Sequence, residues 1–381
     1  MTSDSSSIQE VADPATAGGW ARLRRYVEHE SPSGDVERCT ALAELIAGDL
    51  LELGAEVSLI DAAGMGKHVQ ARFPHAGSDQ HLLVLGHLDT VHPVGTLQRQ
   101  PFAVLPERAT GPGIFDMKAG VAFMIEAIAT MVRESRRSHR PLRVLVTCDE
   151  EVGSHTARAV IEDMARGAHA VLVPEPSLPG GGAKTSRKGV ATYRLIVHGR
   201  AAHAGIEPER GVNAITELVH QVLAAHALAD AQLGTQVMAS TIHGGTASNV
   251  VPAEAVASID IRYANMAEGD RVRRELVALA PIDPRARLEV QQVDARPPLE
   301  RTAGVIALYQ QARSMAAKIG HDLAEGGTGG GSDGCLTAAL GIPTLDGLGP
   351  QGGGAHSVDE HIRTDDVSFR IALYTALLEQ L

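Results

Sequence analysis

The stretch Gly86-His87-Leu88-Asp89-Thr90-Val91-His92 follows an apolar run, residues 82–85, that is short enough to form one buried strand. A glycine ends this run. His87 and Asp89 then stand two positions apart, so in an extended chain their side chains project to the same side. A histidine that binds a metal ion often gives its other ring proton to a carboxylate, which orients the ring. The stretch therefore predicts a strand end that carries a metal ligand, His87, and its orienting partner, Asp89. A polar turn after an ordinary strand is the alternative.

The segments around this stretch alternate between strand and helix patterns. Apolar runs at residues 57–60, 68–73, 142–148 and 170–173 read as strands, and amphipathic patterns before residue 54, after residue 116 and over 157–165 read as helices. Such alternation predicts an α/β fold with a mostly parallel sheet and helices on both faces. Ligands of such sheets bind at the carboxyl ends of the strands. Five polar residues fall at these strand ends: His87, Asp89, Glu150, Glu151 and Glu175.

The pattern changes after the triple glycine at residues 180–182. Residues 191–293 follow the order strand, helix, strand, strand, helix, strand, which is typical of a ferredoxin-like α+β domain. Helix–strand alternation resumes from residue 305, so this domain reads as an insertion. We expect a catalytic metal-binding domain made of residues 1–187 and 297–381, with residues 188–296 as an inserted lid or dimerisation domain.

Size, charge and cysteine content narrow the class of protein. A chain of 381 residues exceeds the usual size of a single core, so two domains are expected. The formal net charge of -12 argues against nucleic acid or an anionic membrane as the main partner. No run approaches the ~20 apolar residues of a membrane span, and residues 1–19 lack the pattern of a secretory signal. Three scattered cysteines exclude a thiolate zinc cluster, and together these features lead us to expect a cytoplasmic protein.

The candidate ligands define the metal chemistry. Carboxylates and histidines without thiolates suit zinc, manganese or cobalt, and with His356 they suffice for two divalent ions. Asp116 is expected at the N-cap of a helix, from where it could bridge both ions. Glu150 and Glu151 are adjacent, so in an extended chain one would bind metal while the other faces a bound water. That second glutamate would pass the proton of the water to the leaving group.

Five separated motifs resemble, in type and order, those of the co-catalytic zinc aminoacylase and carboxypeptidase family. They are Gly-His-Leu-Asp-Thr-Val at 86–91, Gly-Pro-Gly-Ile-Phe-Asp-Met-Lys-Ala-Gly at 111–120, Asp-Glu-Glu-Val-Gly-Ser at 149–154, Pro-Glu-Pro-Ser at 174–177 and Gly-Ala-His-Ser at 354–357. This family includes glutamate carboxypeptidases of the carboxypeptidase G type, succinyl-diaminopimelate desuccinylases and acetylornithine deacetylases. The motifs cover the chain from about residue 80 to its C-terminus.

The resemblance assigns roles within the catalytic domain. It implies that His87 and Glu175 hold one ion, that Glu151 and His356 hold the other, and that Asp116 bridges them. Glu150 would be the general base and Asp89 the orienter of His87. The resemblance also implies a cis peptide bond between Asp116 and Met117. Many family members have Asp or Lys where this chain has Met117, a departure that removes no ligand.

The inserted domain also carries family-like motifs. Residues 202–205 resemble the family's Ser-His-Ala-Gly, with alanine in place of serine; there, His203 would reach from a partner subunit to stabilise the oxyanion. Within 246–252, Asn249 would hydrogen-bond the reacting carbonyl. On the following strand Arg262 would clamp a substrate carboxylate, with a surface ion pair as the alternative. Gly330 lies in a glycine-rich segment, 326–334, that is predicted to be a loop whose backbone approaches the ligand.

These features predict a dinuclear metal-dependent amidohydrolase that acts on a small peptide or N-acyl amino acid. The preferred candidate is a glutamate carboxypeptidase. It would hydrolyse an amide bond next to a free α-carboxylate and release a C-terminal glutamate-like residue. An N-acyl-amino-acid deacylase of the acetylornithine deacetylase or desuccinylase type is the alternative. A non-catalytic metal-binding module is a remote third, disfavoured because the base and every expected ligand are present. A homodimer formed through the inserted domain is expected because His203 would act in trans.

Overall fold

The computed structural model describes residues 16–75, 77 and 80–381. The chain divides into two compact units. The main unit comprises the chain up to Ser186 together with Arg301–Thr328 and Ser332–Leu381, and the inserted unit comprises Arg187–Glu300 and Gly329–Gly331. The expectation about a secretory signal in residues 1–19 falls mostly on residues 1–15, which lie outside the described residues. No helix in the described ranges is long and apolar enough to cross a bilayer.

The elements are numbered along the chain. Those up to residue 187 are α1 Ala17–Glu28, α2 Val36–Glu52, β1 Glu56–Ala62, β2 Gly66–Phe73, β3 His81–His87, α3 Thr96–Arg99, β4 Ala103–Val104, β5 Arg108–Thr110, α4 Ala119–Arg133, β6 Leu142–Thr147, α5 Arg158–Ala165, β7 Ala168–Leu172 and β8 Ala183–Arg187. The inserted unit contains β9 Gly189–His198, α6 Ala214–His226, β10 Gln236–Gly244, β11 Glu254–Tyr263, α7 Met266–Val277 and β12 Arg287–Arg296. The remaining elements are α8 Ala303–Lys318, β13 Glu325–Thr328, α9 Gly334–Ala339, β14 Thr344–Leu345, β15 Gly352–Gly353, β16 His361–Arg363 and α10 Val367–Gln380.

The main sheet has the strand order β1-β2-β6-β3-β7-β14. Strands β6, β3, β7 and β14 run parallel, whereas β1 and β2 are antiparallel to their neighbours. The central strand β3 is buried along its whole length. Leu82 and Val84 pack into a core with α1, α2, α4, α8 and α10, while Leu83 and Leu85 pack into a second core with α5 and α9. Helices therefore cover both faces of the sheet, and the predicted α/β class is confirmed.

The helices that cover the larger core are tied together by buried ion pairs. Arg22 on α1 donates to Glu126 on α4 at 2.7 Å and to Asp49 on α2 at 3.2 Å. Glu126 is 1% exposed and also accepts from Arg133 at 2.8 Å. Because an uncompensated charge is costly in an apolar core, these pairs fix how the three helices pack.

Part of the glycine-rich segment is a strand rather than a loop. Residues 325–328 form β13, which pairs with β8. A Cβ added at Gly327 would lie 2.4 Å from Ser186 Oγ, and one at Gly326 would lie 2.8 Å from Leu178 Cδ1. The glycines thus permit a close strand approach that a larger residue would block, and the prediction of a loop over this portion was wrong.

The inserted unit is built on a four-stranded antiparallel sheet of order β10-β11-β9-β12. Its chain order of strand, helix, two strands, helix and strand is the ferredoxin-like order expected from the sequence. Alternate residues of β9 and β11, including Leu195, Val197, Ala257 and Ile259, form its own hydrophobic core with α6 and α7. This unit therefore has a core of its own.

Candidate metal centre

Three neighbouring parallel strands bring polar residues to one edge of the main sheet. His87 is the last residue of β3. The turn that contains Glu150 and Glu151 follows β6, and Glu175 follows β7. Since β6, β3 and β7 lie side by side and run in the same direction, their carboxyl ends meet.

Asp116 reaches this edge from the loop before α4. The helix begins at Ala119, so the prediction that Asp116 is its N-cap was wrong. Asp116 (φ -115°, ψ 94°) and Met117 have non-helical backbone angles within a single wide turn, Ile114–Lys118, and cannot belong to the helix. The peptide bond between them is cis, as the family resemblance implied.

The Asp116 carboxylate lies between the two predicted histidine ligands. His87 Nε2 is 3.3 Å from Asp116 Oδ1, and His356 Nε2 is 3.5 Å from Asp116 Oδ2. On the outer sides, His87 Nε2 is 3.6 Å from Glu175 Oε1 and His356 Nε2 is 3.3 Å from Glu151 Oε2. Two ligands bound about 2.0–2.2 Å from one tetrahedral ion are roughly 3.3–3.5 Å apart. The separations are thus close to those of ligands around a bound cation, and His87, Asp116 and Glu151 form a candidate metal-binding group.

Unpartnered buried atoms support this interpretation. His87 is 1% exposed, and within the described part of the chain neither its Nε2 nor Glu151 Oε1 has a hydrogen-bond partner. Leaving such atoms without a partner is unfavourable unless a ligand satisfies them. Histidine nitrogen and carboxylate oxygen are suitable donors for zinc, so these residues fit the divalent ions implied by the sequence.

The electrostatics of the group also favour a cation. Burial raises the pKa of Glu151 to about 7. Burial opposes protonation of His87, but the carboxylates of Asp116, Asp89 and Glu175 outweigh it and raise the pKa of this histidine well above its ordinary value. Protons and metal ions compete for the same ligand atoms, so a site that stabilises positive charge on His87 also attracts a metal ion.

Asp89 contacts both the His87 ring and the turn that carries Glu150 and Glu151. His87 Nδ1 lies 3.0 Å from the backbone carbonyl oxygen of Asp89 and 3.6 Å from its carboxylate Oδ1. The carboxylate accepts hydrogen bonds from the backbone N–H groups of Glu150 (3.2 Å) and Glu151 (3.3 Å) and from the Ser33 hydroxyl (2.6 Å). The closer contact to the His87 ring is therefore the carbonyl of Asp89, while its side chain holds the turn that carries the two glutamates.

Glu150 and Glu151 do not lie on extended chain as the sequence argument assumed. They open a 3₁₀ turn, Glu150–Val152. The prediction of an extended chain here was wrong, because the chain turns directly after β6, where Asp89 accepts the two backbone N–H groups. Consecutive side chains in a 3₁₀ turn point about 120° apart, so the two carboxylates still diverge.

A buried polar group beneath this turn was missed by the sequence argument. The backbone N–H and hydroxyl of Thr156 both donate to Asp149 Oδ2 at 2.7 Å. His68 accepts at Nδ1 from the backbone N–H of Cys148 and contacts the Thr156 hydroxyl through Nε2 at 3.1 Å. Burial lowers the pKa of His68. The signal available in the sequence was Asp149, the first acidic residue of the Asp-Glu-Glu run.

The inserted unit contains the other predicted site residues. The exposed His203 forms an isolated β-bridge with Val250, and the backbone N–H of Ala204 donates to the carbonyl oxygen of Asn249. Segments 202–205 and 246–252 are thus adjacent. The Nδ1 atom of His203 accepts from the backbone N–H of Gly205 at 3.1 Å, which leaves its Nε2 pointing away from this turn.

Arg262 forms the ion pair that was the alternative to substrate binding. Its Nε and Nη2 donate to the two carboxylate oxygens of Asp260 at 2.9 and 3.1 Å, and its Nη1 approaches the Gly329 carbonyl oxygen at 3.4 Å. The Nε–Nη2 edge of the guanidinium is therefore occupied by Asp260. The Gly330 carbonyl accepts from the buried Arg187 at 3.2 Å, which fixes this part of the glycine loop.

The sequence matches one protein-family model and relatives with hydrolase names. Residues 83–380 match the model of peptidase family M20/M25/M40. Carboxypeptidase G2 from Pseudomonas sp. (strain RS-16) is 32% identical over 342 residues, which cover 88% of this chain and 82% of the relative. A succinyl-diaminopimelate desuccinylase from Xanthomonas campestris pv. campestris (strain B100) is 31% identical over 81% of this chain and 85% of the relative.

Solved structures share the fold. An aminopeptidase PepT from Bacillus cereus ATCC 10987 superposes with a TM-score of 0.78 at 22% identity, covering 95% of this chain and 97% of the other. The family M20 metallo-carboxypeptidase Sso-CP2 from Sulfolobus solfataricus gives a TM-score of 0.74 at 17% identity, covering 96% of this chain and 99% of the other. Both chains align along nearly their whole lengths, the inserted unit included.

Proposed function

The chain belongs to peptidase family M20/M25/M40 and is a metal-dependent hydrolase of the peptidase or amidohydrolase type, and we propose that it is a carboxypeptidase that releases a C-terminal glutamate-like residue. The single observation that supports this most strongly is the pair of histidines on either side of Asp116, with Glu151 and Glu175 beyond them. The similarity to carboxypeptidase G2 favours an amide next to a free α-carboxylate.

The metal site would use three residues that end or follow strands of the main sheet together with two residues from loops, Asp116 and His356. Two divalent ions, with zinc preferred over manganese or cobalt, would be held by His87, Asp116, Glu151, Glu175 and His356. When bound, such ions polarise a carbonyl group and make water acidic enough to react near neutral pH. Asp89 keeps His87 and the Glu150–Glu151 turn in place through its carbonyl and carboxylate.

Glu150 would carry out the proton transfer. We propose that its carboxylate accepts the proton of the attacking water and delivers it to the nitrogen of the departing amino acid. Two backbone contacts support the placement: the N–H groups of Glu150 and Glu151 are both anchored on Asp89, so the two glutamates have fixed starting directions.

The inserted unit would recognise the substrate and form a homodimer. Asn249 would hydrogen-bond the reacting carbonyl oxygen, and His203 of the partner subunit would stabilise the oxyanion that forms there. Arg262 would bind the substrate α-carboxylate, beside the backbone of Gly330. Light scattering tests the dimer: a monomeric protein with full activity would refute a role for His203 in trans.

We also propose that the protein works in a reducing cytoplasm. Cys39, Cys148 and Cys335 are all buried, and none of the three forms a disulfide. Burial raises the pKa of Cys39 to about 12, so this thiol is protonated at neutral pH and poorly suited to metal binding or nucleophilic attack.

The test of function is a product analysis by mass spectrometry. Zinc- or manganese-loaded protein is incubated with dipeptides, N-acyl amino acids and N-aroyl glutamates, in parallel with the Glu150→Gln variant. Release of glutamate by the wild type, with a fall in kcat of at least about a thousandfold in the variant, would support the carboxypeptidase reading. The variant should keep its metal content, because Glu150 is not among the proposed ligands.

A deacylase is the second candidate, favoured by the similarity to succinyl-diaminopimelate desuccinylase. The same panel separates the two. Release of amino acids other than glutamate from simple acyl groups would assign the protein to the deacylases. Absence of turnover on every substrate, with two ions bound, would refute both.

A further inference from the structure

We infer that Glu360 is a positioning residue that fixes the place of Asp116 in the metal site. Glu360 follows His356 by four residues and belongs to neither the proposed ligands nor the proposed base. The inference rests on the proposed function only in taking Asp116 as a metal ligand. Its basis is the set of contacts that the Glu360 carboxylate makes with the loop that carries Asp116.

Both carboxylate oxygens of Glu360 accept backbone N–H groups from this loop. Oε1 accepts from Phe115 and from Asp116 itself, at 2.8 and 2.9 Å, and Oε2 accepts from Gly113 at 2.8 Å. Three N–H groups of a four-residue segment thus converge on one side chain. Because Asp116 is one of the donors, movement of Glu360 would directly move the backbone from which the Asp116 carboxylate extends.

The carboxylate is also held from its other side. His92 Nε2 donates to Oε2, and the Gln100 side-chain amide donates to the Glu360 backbone carbonyl at 3.0 Å. Glu360 is 0% exposed. A buried carboxylate with four donors is a rigid acceptor, since each donor limits the direction in which it can shift.

Glu360 further connects the two loops that supply metal ligands. It lies between His356 and β16, and β16 pairs with β5, directly before the Asp116 loop. Gly113 adopts φ +69°, and a Cβ there would lie 2.4 Å from Thr90 Cγ2, so the loop passes closely over the segment that follows His87. The carboxylate therefore holds the loop at the point where His87, Asp116 and His356 approach one another.

A glutamine at position 360 would have the right size but the wrong polarity. Its single carbonyl oxygen could serve either the Phe115 and Asp116 N–H groups or the Gly113 N–H group and His92. In either orientation the NH₂ group would face at least one backbone N–H donor, Gly113 on one side or Phe115 and Asp116 on the other. The Glu360→Gln variant should therefore displace the loop while retaining the volume of the side chain.

The experiment measures metal binding apart from catalysis. Metal-free wild type and Glu360→Gln are titrated with Co²⁺, and the visible spectrum and the affinity of each step are recorded. We expect the variant to bind at least one ion 10- to 100-fold more weakly and to show an altered cobalt spectrum. With a substrate found in the product panel, kcat should fall by a similar factor while KM changes less than threefold.

Glu126→Gln is the matched control. Glu126 is an equally buried carboxylate of the main unit, held by Arg22 and Arg133 rather than by the metal-site loop. Its variant should lose thermal stability but bind Co²⁺ like the wild type. If Glu360→Gln does not fold, Glu360→Asp and His92→Gln provide the test, each with a smaller loss of cobalt affinity expected.

The outcomes separate this inference from the proposed function. Unchanged cobalt affinity and spectrum in a folded Glu360 variant would refute the positioning role. Weakened binding in that variant, with a wild type that binds two ions but cleaves no substrate, would leave the positioning role standing and refute the proposed function. A wild type that binds no cobalt would refute the metal site itself.

Discussion

Replacing Gly120 by alanine should damage the metal site although Gly120 binds nothing. This glycine lies in the first turn of α4, and a Cβ added there would be 1.8 Å from the carbonyl oxygen of Pro174 and 2.9 Å from its carbonyl carbon. An ordinary contact needs about 3.4 Å, so α4 and Pro174 must separate by roughly 1.5 Å. Asp116 comes shortly before α4 and Glu175 directly after Pro174, so the separation would pull two proposed ligands apart.

The expected magnitude follows from this distance. Overpacking typically destabilises the folded state by about 1–3 kcal/mol, and a backbone clash this close should cost about 3 kcal/mol. Alanine is a better helix former than glycine, which offsets up to about 1 kcal/mol of this cost. At about 2–4 °C per kcal/mol, a net cost of about 2–3 kcal/mol should lower the Tm by roughly 4–12 °C. A displacement of about 1 Å at a catalytic group can cost on the order of a hundredfold, so zinc affinity and kcat should each fall at least tenfold.

The assay compares thermal unfolding with and without zinc, and zinc affinity by competition with a coloured chelator. Gly48→Ala is the matched control, because Gly48 lies in the exposed face of α2 and a Cβ there meets nothing within 4 Å. It should raise the free energy of unfolding by about 0.4–1 kcal/mol. A Gly120→Ala protein with the Tm and zinc affinity of the wild type would show that the contact with Pro174 is unimportant.

Three further predictions concern metal removal, pH and substrate binding. Chelation should abolish activity and lower the Tm, because the carboxylates around His87 then repel one another. Readdition of zinc should restore both activity and Tm. A Tm that does not change with chelator would contradict the proposed metal site. Burial lowers the pKa of His68 in the folded protein, so below about pH 6.5 the unfolded chain binds more protons than the folded one. The free energy of unfolding should therefore decrease as the pH is lowered through this range. The decrease should be smaller in His68→Asn, as urea unfolding at pH 7 and pH 5 would measure. Arg262→Ala should lower kcat/KM by about a hundredfold for substrates with a free α-carboxylate. It should leave kcat/KM unchanged for the same substrates with a carboxamide in place of that carboxylate. Equal decreases in kcat/KM for both kinds of substrate would show that Arg262 acts only as a structural partner of Asp260.

The sequence was sufficient for the features that depend on period and order. Alternation of strands and helices predicted the parallel sheet, and the ends of its strands located His87 and Glu175 at one edge. The ferredoxin-like order of the inserted unit followed from the same reasoning. These predictions succeeded because burial of apolar faces determines them, and burial leaves a regular trace in the chain.

Local backbone geometry and long-range polar contacts were beyond the sequence. The turn at Glu150 is hydrogen-bonded to Asp89, and Asp116, shortly before α4, is hydrogen-bonded to Glu360, far along the chain. The Asp260 partner of Arg262 could have been suspected, since residues two apart on a strand share a face. Such contacts form between side chains that no periodic pattern connects.

The arrangement of the ligands along the chain has a consequence for biosynthesis. His87, Asp116, Glu151 and Glu175 all precede the inserted unit, whereas His356 and Glu360 follow it, as do β14 and α10, which complete the main sheet and its larger core. A ribosome therefore releases all the ligands of one proposed ion long before His356, the last ligand of the other. The nascent chain must keep the first half of its core soluble while the inserted unit, which has a separate core, is made and folds. Loading with metal would accordingly be sequential, and the second ion would be fully coordinated only after His356 has left the exit tunnel.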